Sequence, residues 1–374
     1  MRGRVIAGHA DACRHASPPG FLALACPLVF CAVLFVGCDQ GGGGVPATVA
    51  GGTWYVYADE LREQRTGPRH DLTLRELLVI SAGTDSVGEW ALGKPRAVVE
   101  AGDGHIYVLD SDWKQVFAFD SSGALLRRMG GYGTGEGEML LPVDMVAYDD
   151  DLYVLAYELD RVIVFDRNGR VERTIRLADK GRYVAATASG LWVELMYVRQ
   201  GHMVDLYDWA GGQPVARVGL HATDSAYQEA GVSGNIGALR DGGIAYVHGS
   251  GAFLQFADAD GSDRIVPVGP LSDWKYEENP PPGLEPLYGP REVTYGVVEW
   301  GSQGVMVLSR ELDAKDGYLT LTLIDHGGEV IAEGIFPGLG GVLSLDAGAD
   351  AGTVFLTFLS PPNVVKYQVD IQWP

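Results

Sequence analysis

From Leu72 onward the chain is a succession of short apolar runs separated by Gly-, Asp- and Asn-rich turns, with no stretch of sustained helical period. That pattern predicts an all-β array. One triplet recurs along it: Ile106-Tyr107-Val108, Leu152-Tyr153-Val154, Leu191-Trp192-Val193, Ile244-Ala245-Tyr246, Val305-Met306-Val307 and Val354-Phe355-Leu356. A second apolar run follows each triplet, at Val116–Phe119, Val162–Phe165, Met203–Tyr207, Phe253–Phe256, Leu319–Ile324 and Val364–Val369. Five of these runs end in one kind of turn, at Asp120–Gly123, Asp166–Gly169, Asp208–Gly211, Asp258–Gly261 and Asp325–Gly328. Residues of these types supply the positive φ that a tight hairpin needs.

Side-chain alternation selects the architecture. In Arg161–Asp166, Val162 and Val164 point one way while Ile163 and Phe165 point the other, so both faces of the sheet are apolar and both must be covered. A two-sheet sandwich leaves one face of each sheet polar. A radial stack of small four-stranded sheets covers both, and this is a six-bladed β-propeller. The sixth unit ends after its third strand, and Leu72–Ser81 stands ahead of the first complete unit. That strand is expected to complete the last blade and close the ring over residues 72–374, leaving no open sheet edge at the join.

The N-terminal region reads differently. Arg2, Arg4 and Arg14 precede an uncharged apolar stretch, Phe21–Val36, which is followed by Gly37, Cys38 and the glycine run Gly41–Gly44. The stretch is short for a spanning helix and has the layout of a secretory core segment. Leu34-Phe35-Val36-Gly37-Cys38 resembles the bacterial lipoprotein signal, which implies cleavage after residue 37 and acylation of Cys38. Residues 38–71 then form a lipidated tether and lead-in segment, with one strand expected at Thr53–Ala58. All four cysteines, Cys13, Cys26, Cys31 and Cys38, lie in the leader or at this site, so the domain has no thiol for a disulfide or a metal. The implied location is a bacterial cell envelope, on the periplasmic side or the outer surface, with a membrane as partner through Cys38.

The chain carries a formal charge of −21, and loss of the Arg-bearing leader makes it more acidic. A basic footprint for phosphate is absent, which argues against nucleic acid. The stretch Gly130–Pro142 with the run Val143–Gly169 resembles the NHL repeat and related six-bladed propellers of bacterial envelope lipoproteins, in the TolB-like propeller superfamily. The likeness extends over residues 95–177. This chain carries Met139-Leu140 where the family usually has phenylalanine. The resemblance implies a scaffold shared by binders and by unrelated enzymes.

Candidate chemistry falls in three places. Turns between second and third strands, and between blades, carry the long insertions, which marks that face as the expected working surface. The longest insertion, Pro270–Pro290, offers Trp274, Tyr276 and Tyr288 on a proline-stiffened loop, suited to a peptide or a sugar, or to packing as a lid. His202, His221 and His248 fall on the same face and would make a zinc or acid–base site if they converged, although their spacing matches no metal signature and favours scattered surface histidines. Asp144, Asn235 and Asp346 are expected on innermost strands, with Glu100 and Glu299 ending others; lactonase-type propellers place a divalent ion such as calcium in that position. No GxSxG, HExxH or P-loop motif is present. The expected function is a lipid-anchored binding or scaffold module for a protein, peptide or glycan, with a metal-dependent hydrolase, lactonase or lyase as the alternative. Substituting Cys38→Ser is expected to shift the protein from the membrane pellet to the soluble fraction of cells, and an unchanged pellet would remove the anchor reading.

Overall fold

What covers the two-faced strands is visible in a computed structural model of the chain. It describes residues 44–49, 52–57, 70–85, 88–199, 202–218, 234–247, 253–267, 274–275, 289–290, 292–311, 318–339 and 341–373. The leader 1–37, Cys38, Tyr276, Tyr288, His221 and His248 lie outside these residues.

Blade 1 comprises Pro95–Glu100, Ile106–Asp110, Gln115–Phe119 and Leu125–Met129. Blade 2 comprises Pro142–Tyr148, Asp151–Ala156, Arg161–Asp166 and Val171–Arg176. Blade 3 runs Gly181–Thr187, Gly190–Arg199, His202–Tyr207 and Ala216–Val218; blade 4 runs Asn235–Ala238, Ile244–Val247, Phe253–Ala257 and Asp263–Pro267. Each is an antiparallel four-stranded sheet in sequence order. Blade 5 is Glu292–Trp300, Gly304–Glu311, Tyr318–Ile324 and Val330–Pro337. Blade 6 takes Val342–Ala347, Thr353–Leu359 and Pro362–Ile371, and His70–Ile80 is its outermost strand. The first strands of the six blades touch one another in a closed cycle, blade 6 returning to blade 1. The fold is a six-bladed β-propeller, as the sequence pattern predicts.

Ring closure follows the expected route. His70–Ile80 pairs antiparallel with Pro362–Ile371, from Leu72 opposite Ile371 to Ile80 opposite Val364. Its first residues also bridge to blade 5 in parallel, His70 opposite Ala332 and Asp71 opposite Glu333.

Six apolar clusters hold the ring, one at each seam between neighbouring blades. Alternation along one strand feeds two of them. Ile106 and Val108 pack with Phe355 and Val364 of blade 6, while Tyr107 and Leu109 pack with Met145, Leu152 and Val154 of blade 2. In blade 2, Val162 and Val164 face blade 3, and Ile163 and Phe165 face blade 1, matching the expected split. Met139, at the position where the resembled family carries phenylalanine, is fully buried in the seam between blades 1 and 2.

The hairpin turns are built by their aspartates. In blade 2, Asp166 Oδ1 accepts the backbone N–H groups of Asn168 and Arg170 at 2.8 Å each, and Gly169 takes φ +83°. Asp120 and Asp325 repeat the arrangement in blades 1 and 5. The turn at Asp258–Gly261 keeps the backbone bond from Gly261 N–H to the Asp258 carbonyl, while Ser262 N–H is bonded to Asp260 Oδ1 where the other turns use their first aspartate. Among the described residues, four further hairpins or bridges stand outside the blades: Gly44–Val49 with Gly52–Tyr57, Ala82–Asp85 with Gly88–Ala91, Gly131–Tyr132 with Glu138–Met139, and Trp274–Lys275 with Gly289–Pro290. The first of these contains the strand expected at Thr53–Ala58.

Phe165 is 1% exposed and contacts the seam between blades 1 and 2. Phe165→Ala is expected to cost about 3–5 kcal/mol of unfolding free energy, read from the shift in urea midpoint. A cost near that of a surface substitution, below about 0.5 kcal/mol, would contradict the seam packing.

Candidate functional site

The innermost strands share one irregularity. Each of five pairs with its second strand through a register shift near its start: Pro95/Ala97, Pro142/Asp144, Gly181/Tyr183, Thr294/Gly296 and Val342/Ser344. A bulge adds one unpaired residue and re-aims the side chains beside it. Two of the extra residues are Arg96 and Arg182, and directly after the bulges come Asp144, Tyr183 and Ser344. Blade 4 contributes Asn235, paired with Val247. Polar groups from separate blades are thereby gathered around the axis.

Apart from Arg182, they line a cavity of about 720 Å³ that all six blades wall. Arg96, Asp144, Tyr183, Asn235, Ser344 and Asp346 lie at the bulge end and within it. The opposite end reaches the short turns Trp300–Gln303 and Ala347–Thr353, which join first to second strands. Among the described residues, the cavity therefore meets solvent at the short-turn face. The insertion-bearing loops are largely outside the described residues.

The carboxylates expected here divide into two kinds. Glu100 and Glu299, at the mouth, are committed to ion pairs: Lys366 Nζ lies 2.7 Å from Glu100 Oε1, and Arg240 Nε lies 3.1 Å from Glu299 Oε2. Glu100 also accepts Ala349 N–H at 2.9 Å, and Glu299 accepts Arg240 N–H at 3.1 Å. Asp144 and Asp346 lie deeper and stitch neighbouring blades. Asp144 Oδ2 accepts Val184 N–H from blade 3 at 2.7 Å. Asp346 accepts Val98 N–H from blade 1 and the Ser344 hydroxyl at 2.8 Å.

Behind Tyr183 lies a group that the motif reading passed over. Glu194, on the second strand of blade 3 and paired with Tyr183, is fully buried. Its Oε1 accepts Gly234 N–H from the start of blade 4 at 3.1 Å, and its Oε2 has no partner among the described residues. Arg96 Nε is also buried without a partner among the described residues. The signal for Glu194 was present in Leu191–Val198 (LWVELMYV), where it is the lone charged residue in an apolar strand.

Burial governs protonation. Desolvation pushes Asp144 up to about 8, helped by the negative field of Asp346 and opposed by the Val184 N–H and Arg96. Glu194 is pushed up to about 8 by the same cause, with Arg182 and the Gly234 N–H opposing. Asp346 rises to about 7 through burial, against the bonds from Ser344 and Val98. Near neutral pH the cavity thus holds carboxyls that both donate and accept hydrogen bonds, beside guanidinium groups.

Of the sequence-derived candidates, Asp144, Asn235 and Asp346 share this cavity. His202 and Trp274 are described in backbone only: His202 pairs with Arg199 and Trp274 with Pro290. Among the described residues, no three His, Cys, Asp or Glu side chains are grouped to hold a metal.

Carboxyls raised by folding retain protons that the unfolded chain releases near pH 4. Their contribution to stability is full below that pH and is lost as the pH rises through about 7 to 8. Glu194→Gln, which keeps the Gly234 bond without the titration, is expected to flatten the fall in melting temperature between about pH 5 and 9. A variant as pH-sensitive as the parent would contradict this protonation.

The comparisons with known proteins agree on architecture. Residues 89–201 match the model of the DUF5128 family, described as a 6-bladed beta-propeller. No curated protein matches the chain in sequence. Among solved structures, the chain is similar to a DUF4221 family member from Bacteroides vulgatus (TM-score 0.53, 10% identity, 82% of this chain and 100% of that one). It is also similar to a protein from Bacteroides fragilis (TM-score 0.52, 11% identity, 81% and 96%). A third similar structure is the PQQ-bound aldose sugar dehydrogenase from Streptomyces coelicolor (TM-score 0.50, 13% identity, 81% and 100%). At such identities these likenesses show the fold.

Proposed function

We propose that this chain is a binding module of a bacterial cell envelope, held to a membrane through Cys38, and that its axial cavity receives a polar group of a protein, peptide or glycan ligand. One observation carries the reading. The cavity is walled by all six blades, and Arg96 Nε in its wall is buried with no hydrogen-bond partner among the described residues, as is Glu194 Oε2 one strand behind the wall. Buried polar groups are normally satisfied, so unsatisfied ones at a cavity mark where a ligand's hydrogen bonds gain most. Its volume falls in the range of about 300–1,000 Å³ usual for ligand pockets. The NHL-like features of residues 95–177 and the exported, lipidated location belong to the same proposal, the location resting on the signal-like run Leu34–Cys38.

A second reading, a metal-dependent hydrolase, lactonase or lyase, is favoured by the meeting of Asp144, Asn235 and Asp346 at one cavity. Their oxygen donors suit a hard cation such as calcium. Asp144 and Asp346 each already accept a neighbouring strand's N–H, and burial favours their protonated forms, so the binding reading is preferred.

A thermal-shift screen of peptides and glycans, on protein analysed for metal by elemental mass spectrometry before and after chelation, separates the two. The binding reading expects a metal-free protein, a ligand that raises the melting temperature, and loss of that shift in Asp144→Asn. One tightly held calcium or zinc per chain, with a melting temperature that drops on chelation, would replace it with the enzyme reading.

A further inference from the structure

The hairpin Ala82–Asp85/Gly88–Ala91 is additional to the blades, and it walls a second cavity that shares no lining residue with the axial one. This cavity, about 550 Å³, is lined by Trp90, Trp113, Phe117, Arg128, Glu89 and the small residues Ala82–Thr84 and Ala91. Trp90 packs on Phe119 with ring centroids 5.2 Å apart and joins the seam between blades 6 and 1. Trp113 is the exception among these rings, since it remains 53% exposed.

An exposed tryptophan is usually free to move, and this one is held twice. Its indole N–H donates to the Ala91 carbonyl at 2.8 Å, tying the ring to the hairpin. Its backbone is fixed by Asp110, which is fully buried. The Asp110 carboxylate accepts the N–H groups of Gly93 at 2.7 Å, Lys94 at 3.1 Å, Asp112 at 3.0 Å and Trp113 at 3.2 Å. One buried acid thus locks the turn bearing Trp113 to the segment leading from the hairpin. The ring is presented to solvent already ordered, which removes much of the entropy cost of stacking a ligand on it.

The rim decides the chemistry. Arg128 lies over Phe117, its guanidinium carbon 5.6 Å from the ring centroid, so a cation on the aromatic surface meets a positive charge already there. Glu89 is exposed on the hairpin and adds an acceptor. An apolar ring face flanked by one donor group and one acceptor group matches a pyranose, which offers a flat C–H face and hydroxyls around its edge. We propose that this flank cavity is a carbohydrate-binding site, with Trp113 the stacking platform and Arg128 and Glu89 the hydroxyl partners. It stands whether or not the axial cavity binds a ligand.

The test is isothermal titration of the purified protein with cello-, malto- and chito-oligosaccharides and with uronic acid oligomers. Binding by at least one of these, weakened at least about tenfold by Trp113→Ala, is the expected result. Trp113→Ala alters a half-exposed side chain, and an unchanged melting temperature and near-ultraviolet circular dichroism outside the tryptophan bands confirm that it folds. Failure of every oligosaccharide to bind, or equal affinity for the parent and Trp113→Ala, would overturn the proposal. Loss of binding in Asp144→Asn with retention in Trp113→Ala would assign the sugar to the axial cavity and overturn it equally.

Discussion

The structure depends on one constraint, that its strands are apolar on both faces. Five consecutive residues, Ile106–Asp110, are buried, and their alternate side chains enter two different seams. No sheet built from such strands is stable alone, because each face left in water would forfeit about 25 cal/mol for every Å² of apolar surface. Each blade must therefore be sandwiched by two others, and only a closed ring gives every blade two neighbours. Closure falls to His70–Ile80, which enters blade 6 beside the last long strand of the chain. The polar residues of the axis are a consequence: once the blades meet face to face, only the first strands' channel-facing edges remain for them.

Two levels of polar stitching refine that apolar ring. Asp144, Asp346 and Glu194 each reach across a seam to the backbone N–H of the next blade. These bonds fix the angular register of neighbouring blades, which nondirectional packing leaves loose. The same acids are desolvated in doing so and favour their protonated forms. Structural stitch and ligand-ready hydrogen-bonding group are thus one feature, since the burial that strengthens each bond also holds the second oxygen in a position to donate.

The fold was legible because its signals are local. The Asp-x-x-Gly turns act within five residues through bonds such as those of Asp166 with Asn168 and Arg170, and the two-faced runs are read directly from alternation. The site was legible only in part. Asp144, Asn235 and Asp346 were assignable to innermost strands by position in the repeat, and they do share the cavity. Arg96 and Arg182 escaped notice because their placement depends on bulges, which no spacing rule marks. Glu194 was visible as a charge in an apolar strand, yet its bond to Gly234 crosses blades. Trp113 carries no sequence signal of importance; its ordering comes from Asp110 and Ala91, and only the folded turn brings these together.

The account rests most heavily on ring closure by the N-terminal strand, and the cysteine-free domain allows it to be tested directly. Thr73 and Asp370 are exposed and lie opposite each other in the register between His70–Ile80 and Pro362–Ile371. Facing residues of an antiparallel pair are separated by about 4.5–5.5 Å between Cα atoms, which a disulfide spans. With Cys38 and the leader cysteines removed, the pair Thr73→Cys and Asp370→Cys should form an intramolecular disulfide in high yield under mild oxidation. The oxidised protein should melt higher than the reduced one, because the bond closes nearly the whole propeller into one loop. Two free thiols after oxidation, or a crosslink that forms only between chains, would contradict the closure on which the cavity and both proposed sites depend.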